Sequence, residues 1–324
     1  MAVPKNFQAI AVTVAVILIL LFFTSGTGTP SSLADFSSLA TGQRGNALMP
    51  ISERLALAEK NWGKLVAERE TLKKEHPTPD NIPYFPAVDV PSYRQNPWSV
   101  WDFIPASFNC PHEMERVGRL GDGGKWVCGM RKYEQNKARP CVVYSFGVQF
   151  ESTFEEQMIE RTNCEVWGYD FSVTEFGKQL KPDSKARAHF MTAGIGGKTD
   201  PSRDPPFYTI KDLMKMNGHT YIDVLKMDIE YSEFEALEAF INDFSTGALP
   251  LGQLMVELHL FAKPPKTVND FMSWREALEA RGLRPVWTEP NLLAVTLTVD
   301  DSLPRLAEYT LINIHDKNSL ILQE

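Results

Sequence analysis

Among the 324 residues there is no GxxxxGKS/T phosphate loop and no GxGxxG fingerprint, so a P-loop site and a conventional dinucleotide cradle are both excluded. Basic residues are the minority, 33 Lys and Arg against 41 Asp and Glu, and the net charge of -8 gives no support to binding of a nucleic-acid backbone, which normally shows as a basic face. No nucleic acid is expected as a partner. The four cysteines form no CxxC and no Cys/His spacing of a zinc site. A DxD motif, which a metal-dependent sugar-nucleotide transferase would need, is also missing; Asp228-Ile229-Glu230 only approximates it.

What is present begins with a membrane-targeting segment. Phe7 to Phe23 is uncharged and almost wholly apolar, with only Lys5 and the α-amino group before it. At about 1.5 Å per residue such a helix sits near the lower limit for spanning a bilayer. Its apolar run exceeds the usual core of a cleaved signal, so an uncleaved transmembrane anchor over residues 7–23 is expected, with a cytosolic tail at 1–6. Positive charge before the run, with Asp35 the first charge after it, puts the bulk of the chain in the lumen as a type II membrane protein of the secretory pathway, in the Golgi.

A luminal location permits disulfides. Cys110 and Cys128 flank a Gly-rich segment and are the preferred pair, whereas Cys141 and Cys164 stand at the starts of two predicted strands and read as buried thiols. Four cysteines allow three connectivities.

Residues 24–97 read as a stem and linker. Its first part is rich in Ser, Thr, Gly and Ala. A helix over about 52–75 carries Leu55, Trp62, Leu65 and Leu72 near heptad spacing, which suits a short coiled coil or a docking helix. Six prolines between His76 and Pro97 predict an extended connector, and the catalytic domain is expected over 98–324.

That domain alternates strand and helix, the pattern of a doubly wound α/β sheet. Strands are predicted over 142–146, 165–169, 187–192, 221–229 and 253–260, with helices over 153–161, 173–180, after Ser232 as far as 244, and 268–281. Strands over 283–288 and 309–314 end the sheet as an antiparallel pair, and 291–299 adds a further strand. The GDGGK run at Gly121 to Lys125 has no strand-to-helix setting of a phosphate loop and reads as a turn between short strands over 117–120 and 126–130. A role over the substrate or cofactor is open to it.

Chemistry in an open α/β sheet gathers beyond the carboxyl ends of the strands. Gly147 follows the first strand, and Asp170 ends the second, where an acidic side chain accepts from ribose hydroxyls. Asp228 and Glu230 end the strand of YIDVLKMDIEYSEFEAL, and Glu257 and His259 end the next. Asp228 with Glu257 offers only two carboxylates to a cation, too few to predict a metal.

The stretches at 111–130, 142–158, 166–173, 224–237 and 253–259, in that order and spacing, resemble the methyltransferase-like proteins of the secretory pathway related to FkbM-type S-adenosylmethionine-dependent methyltransferases. The resemblance runs from about Trp98 to the C-terminus. It implies a class I methyltransferase, Rossmann-like fold: a mostly parallel seven-stranded sheet with its last strand antiparallel. It further implies S-adenosylmethionine as cofactor, with Gly147 allowing close approach, Asp170 on the ribose, Phe146, Phe171 and Ile195 as adenosine walls, and Asp228 beside them. Glu230, His259 and Glu257 become the catalytic candidates, His259 as the general base because its ordinary pKa lies near neutrality. DIEG of the FkbM group is DIEY here, so Tyr231 replaces a glycine that tolerates φ > 0.

The expected activity is methyl transfer to an oxygen or nitrogen of an unknown acceptor, a glycan or a protein. The competing readings are a non-catalytic module of the same fold tethered to the membrane and a luminal glycosyltransferase.

Overall fold

In the strand Ile222–Met227 every residue is buried, although the sequence IDVLKM carries two charges. Burial on both faces is what a central parallel strand experiences, and each charge is matched. The Asp223 carboxylate accepts two bonds from Arg139, at 2.7 and 2.8 Å, and a third from the Val142 N–H. Lys226 Nζ lies 3.1 Å from Glu155. The computed structural model describes residues 49–75, 83–84, 88–89, 100–102, 104–260, 268–292, 295 and 304–324. Pro50–Glu324 forms one compact unit.

The chain order is α1 (Ile51–Glu75), a hairpin of β1 (Met114–Val117) and β2 (Lys125–Cys128), α2 (Met130–Gln135), β3 (Val142–Phe146), α3 (Thr153–Arg161), β4 (Glu165–Asp170), β5 (Ala188–Thr192), α4 (Ile210–Asn217), β6 (Ile222–Met227), α5 (Glu233–Asp243), β7 (Leu251–His259), α6 (Val268–Ala280), β8 (Leu283–Pro290) and β9 (Leu306–Asn313). The central sheet has the order β8-β9-β7-β6-β3-β4-β5. Strands β7, β6, β3, β4 and β5 pair in parallel, while β9 runs antiparallel to both β7 and β8. This is the expected sheet, with the reversal at the terminal strand.

Neighbouring residues along each strand serve opposite faces. Tyr144, Leu225 and Leu254 belong to one apolar core; Val143, Val224 and Met255 belong to the other. The period of two follows from strand geometry, and two cores mean a sheet covered on both sides.

The cysteines depart from expectation in part. Cys110–Cys128 is a disulfide as predicted, but Cys141 and Cys164 are also bonded, with Cα atoms 4.3 Å apart. Parallel pairing sets Val142 opposite Glu165 and so brings the two preceding cysteines side by side.

Helix α1 also departs from a free stem. It buries Ile51, Ala58, Trp62 and Arg69, with Leu55 packed against the same core and Leu65 and Leu72 half-buried, so the expected face is the docking face. Arg284 grips Glu59 at 2.7 and 3.0 Å, and Arg69 meets Glu279. The helix is therefore docked on the sheet within the compact unit Pro50–Glu324.

No helix forms over 173–180. Phe176 packs edge-on against Phe190, and a Cβ on Gly177 would overlap the Phe150 carbonyl oxygen, so the chain there follows tertiary contact rather than helical period. The helix α4 was not expected; the Thr209 hydroxyl caps it by accepting from Asp212 N. Of the strand expected over 291–299, residues 291, 292 and 295 are described and none is extended in a sheet. The expected hairpin strands shift to 114–117 and 125–128. The anchor over 7–23 lies outside the described residues, and among those residues no helix is long and apolar enough to cross a membrane.

Candidate active site

The turn after β3 and the end of β6 are locked together. Asp228 N donates to the Phe146 carbonyl at 3.0 Å, and Gly147 N donates to that of Tyr169, also at 3.0 Å. Gly147 has φ 74°, and a Cβ there would overlap the Asp228 carbonyl oxygen. Only glycine meets both conditions.

Asp170 braces the same turn. One carboxylate oxygen accepts from Gln149 N at 2.8 Å, and the other from Ser172 N and Oγ at 2.6 Å each. The first of these bonds helps hold Gln149 at φ 48°; Asp170 itself is buried and does not line the cleft, so the structure does not bring it to the open space where a ribose was expected. The cleft of about 420 Å³ is lined here by Gly147, Val148 and Gln149. Asp170 stands behind this backbone as the organiser of the turn.

The expected adenosine walls separate. Phe146 is fully buried among Tyr144 and Tyr169 and is core, not wall. Ile195 is buried in the same core. Phe171 is half-exposed, its ring 5.9 Å from Phe207, and alone of the three presents an open aromatic surface.

At the other end of the cleft Asp228, Glu230, Glu257 and His259 converge. Strands β6 and β7 are adjacent and in register, so their ends meet. Residues 230 and 231 then turn through the left-handed region, φ 49° and 81°, before α5 begins. Tyr231 thus occupies a conformation that favours glycine, and its ring packs 5.7 Å from that of His259.

Glu233, in the first turn of α5, is fully buried and accepts from both the backbone N–H of His259 at 2.6 Å and its Nδ1 at 2.9 Å. His259 Nε2 points toward Asp228 Oδ1 and Glu230 Oε2, 3.7 Å from each. Glu257 accepts from Asn291 Nδ2 at 2.8 Å.

Charge shifts the groups in different directions. Burial, with Asp228 and Glu308 beside it, pushes the Glu257 carboxyl up to about 9. Burial also lifts Glu230 above the usual carboxylate range. For Asp228 burial works upward, but Lys125 and His259 prevail and hold the carboxyl low. Burial would lower His259, yet the hydrogen bond and charge of Glu233, with Glu257 and Asp228, raise it to about 9. The ligand-free imidazole is therefore mostly protonated near neutrality, unlike the base expected from an ordinary histidine.

Three contributors escaped the sequence reading. Lys125 of the GDGGK run is buried, reaches Glu308, and stands 3.4 Å from Asp228. Glu308 lies directly across from Glu257 in the β7–β9 pairing, a like-charged neighbour that Lys125 offsets. Glu233 was legible only as an N-terminal helix acid. Gly121, Asp122 and Gly123 line the cleft, so the β1–β2 turn does lie over the site.

The family model described as a methyltransferase domain matches residues 56–296, about three quarters of the chain. A search of curated proteins finds no match. Among solved structures, the chain is similar to the Methanococcus jannaschii fibrillarin pre-rRNA processing protein at 13% identity and TM-score 0.33, over 63% of this chain and 100% of that one. It is also similar to the Burkholderia thailandensis 1,6-didemethyltoxoflavin-N1-methyltransferase, solved with S-adenosylhomocysteine, at 14% identity and TM-score 0.30, over 57% and 76%. A third is a ribosomal protein L11 methylase from Lactobacillus delbrueckii subsp. bulgaricus, at 9% identity and TM-score 0.29, over 57% and 77%. The family match, the parallel sheet with its reversed terminal strand, and the Gly147 turn agree: the chain belongs to the methyltransferase-domain family, whose fold uses S-adenosylmethionine as methyl donor.

Proposed function

We propose that the chain is a membrane-anchored, lumen-facing methyltransferase of FkbM type that methylates an oxygen or nitrogen of a glycan or protein. One observation carries the acceptor side: a single cleft runs from the Gly147–Gln149 backbone to Glu230, Glu257 and His259. Donor and acceptor chemistry thus share one space. The apolar Phe7 to Phe23 run supports the anchor, and two disulfides suit an oxidising lumen of the secretory pathway, such as the Golgi. The net charge of -8 disfavours a nucleic-acid acceptor.

When bound, S-adenosylmethionine supplies a methyl group made electrophilic by the sulfonium. The chain's residues do the rest. The Gly147 turn receives the nucleoside, Asp170 keeps that turn in its left-handed form, and the β1–β2 turn limits water over the cleft. Glu230 is the most exposed of the acidic groups at the acceptor end, with 53% of its side chain accessible, and takes the proton that the acceptor releases. Tyr231 keeps Glu230 at the rim through the turn they share.

Calorimetric titration of the purified full chain in detergent with S-adenosylmethionine tests the donor side. Transfer of labelled methyl to a Golgi extract tests the acceptor side, and the expected result is transfer that falls at least tenfold in Glu230→Gln. Cofactor binding without any transfer would favour the non-catalytic module instead.

A further inference from the structure

The acceptor end of the cleft gathers more carboxyl groups than transfer of a methyl group requires. Asp228, Glu230, Glu257 and Glu308 gather there, and Lys125 is the lysine that meets them. Lys226 is close by but committed to Glu155 on the far side of the turn. Buried carboxylates need a compensating charge or a metal.

We infer that Asp228, Glu257 and His259 bind one divalent cation of the Mn²⁺ or Zn²⁺ class at the acceptor end of the cleft. One donor atom from each lies within 4.8 Å of the others, and Glu257 and His259 are each only 2% exposed. They come from the carboxyl ends of two adjacent, paired strands, β6 and β7. The sequence offered two carboxylates; folding supplies the imidazole as third donor.

The imidazole itself points to a ligand. Its Nδ1 is taken by Glu233, so in the neutral ring the proton sits there and the Nε2 lone pair faces the cleft. Nε2 makes no hydrogen bond among the described residues. What it faces are two carboxylate oxygens, Asp228 Oδ1 and Glu230 Oε2, each 3.7 Å away. That separation is too long for a hydrogen bond. It matches two ligands around a common ion with bonds of about 2.1 to 2.2 Å.

The outer contacts have the form that metal sites use. Glu233 orients the histidine, Asn291 holds Glu257 Oε1, and Lys125 engages Asp228 Oδ2 while leaving Oδ1 toward Nε2. One nitrogen and two carboxylates favour Mn²⁺ or Zn²⁺ over an all-oxygen Ca²⁺ or Mg²⁺ site. Glu230 stands within reach as a fourth ligand or as the group that receives a proton from an acceptor bound to the open positions. Its role toward the acceptor rests on the transferase reading; the binding of the ion does not.

The test titrates chelator-treated full chain with MnCl₂ alone and follows the free Mn²⁺ signal by electron paramagnetic resonance. One bound Mn²⁺ per chain is expected, with echo modulation from a directly coordinated imidazole nitrogen and displacement by Zn²⁺. Affinity should fall at least tenfold in His259→Ala and in Asp228→Asn, and between about tenfold and a hundredfold in the positioning variant Glu233→Gln. A folded wild-type chain that leaves all Mn²⁺ free, or a bound ion without imidazole modulation, would overturn the site, and neither readout requires a variant to fold. A protonated His259 bridging Asp228 and Glu230 gives the first of those results. Mn²⁺ binding in a chain that ignores S-adenosylmethionine would sink the transferase reading and leave the site standing.

Discussion

The carboxylate of Glu233 holds His259 twice, through the backbone N–H at 2.6 Å and through Nδ1 at 2.9 Å, and neither side chain is more than 2% exposed. A buried carboxylate with one partner removed leaves the other uncompensated. Glu233→Ala is expected to lower the unfolding free energy by about 3 to 5 kcal/mol. Glu233→Gln, which keeps an acceptor oxygen, should cost clearly less. Urea denaturation followed by tryptophan fluorescence measures both, and equal losses would show that the bond to His259 carries no special weight.

Tyr231 stands at φ 81° where glycine is favoured, and its ring packs against that of His259. A left-handed conformation costs a non-glycine residue about 1 to 2 kcal/mol. Tyr231→Gly should therefore be more stable than the parent by up to about 1 kcal/mol, after allowance for the greater freedom of glycine in the unfolded chain. Tyr231→Val should be less stable than either, since a branched side chain tolerates this region poorly. The denaturation midpoints give the order directly; a valine variant as stable as the glycine one would remove strain from the account.

The strands were legible where burial itself is written in the chain. Ile222–Met227 and Val142–Phe146 are short apolar runs between turn residues, and the rule that places ligands at strand ends brought Gly147, Asp228, Glu257 and His259 to one cleft. Local signals could also have found α4, since Thr209 and Gly218 mark its ends and Ile210, Leu213 and Met214 share a face. Lys125 and Glu308 were beyond local reading. Glu308 arrives because β9 inserts beside β7, and Lys125 because the hairpin folds over that edge. The helix expected over 173–180 failed for the same reason in reverse: Phe176 and Gly177 answer to Phe190 and Phe150, which no helical period encodes.

Cys141–Cys164 ties the starts of β3 and β4, closing a loop with a sequence separation of 23 residues. A loop of that size stabilises by about 3 kcal/mol through the unfolded chain. The paired variant Cys141→Ala/Cys164→Ala is expected to lose roughly that amount while Cys110–Cys128 remains intact. Differential denaturation against the parent checks the value. A mass shift of four hydrogens on full reduction of the wild type checks that both bridges exist.

Gly147 makes the most demanding prediction because fold and ligand require the same atom to be absent. In Gly147→Ala the new methyl overlaps the Asp228 carbonyl oxygen, and φ 74° is unfavourable for alanine. Relief means moving the turn away from β6, which breaks the Asp228 N–H bond to Phe146 and shifts the backbone that lines the cleft. The expected loss is about 2 to 4 kcal/mol of stability, with S-adenosylmethionine binding weakened at least tenfold in whatever remains folded. Asp170→Asn loosens the same turn from behind. The amide oxygen can still accept from one backbone N–H, but the NH2 then faces the other donor, so stability should fall by about 1 to 3 kcal/mol, and the Gln149 backbone that lines the cleft is held less firmly. Calorimetry on both variants, each beside its thermal melt, gives the comparison: weak binding by a well-folded Asp170→Asn chain ties the nucleoside to this turn, and full binding there would move it elsewhere.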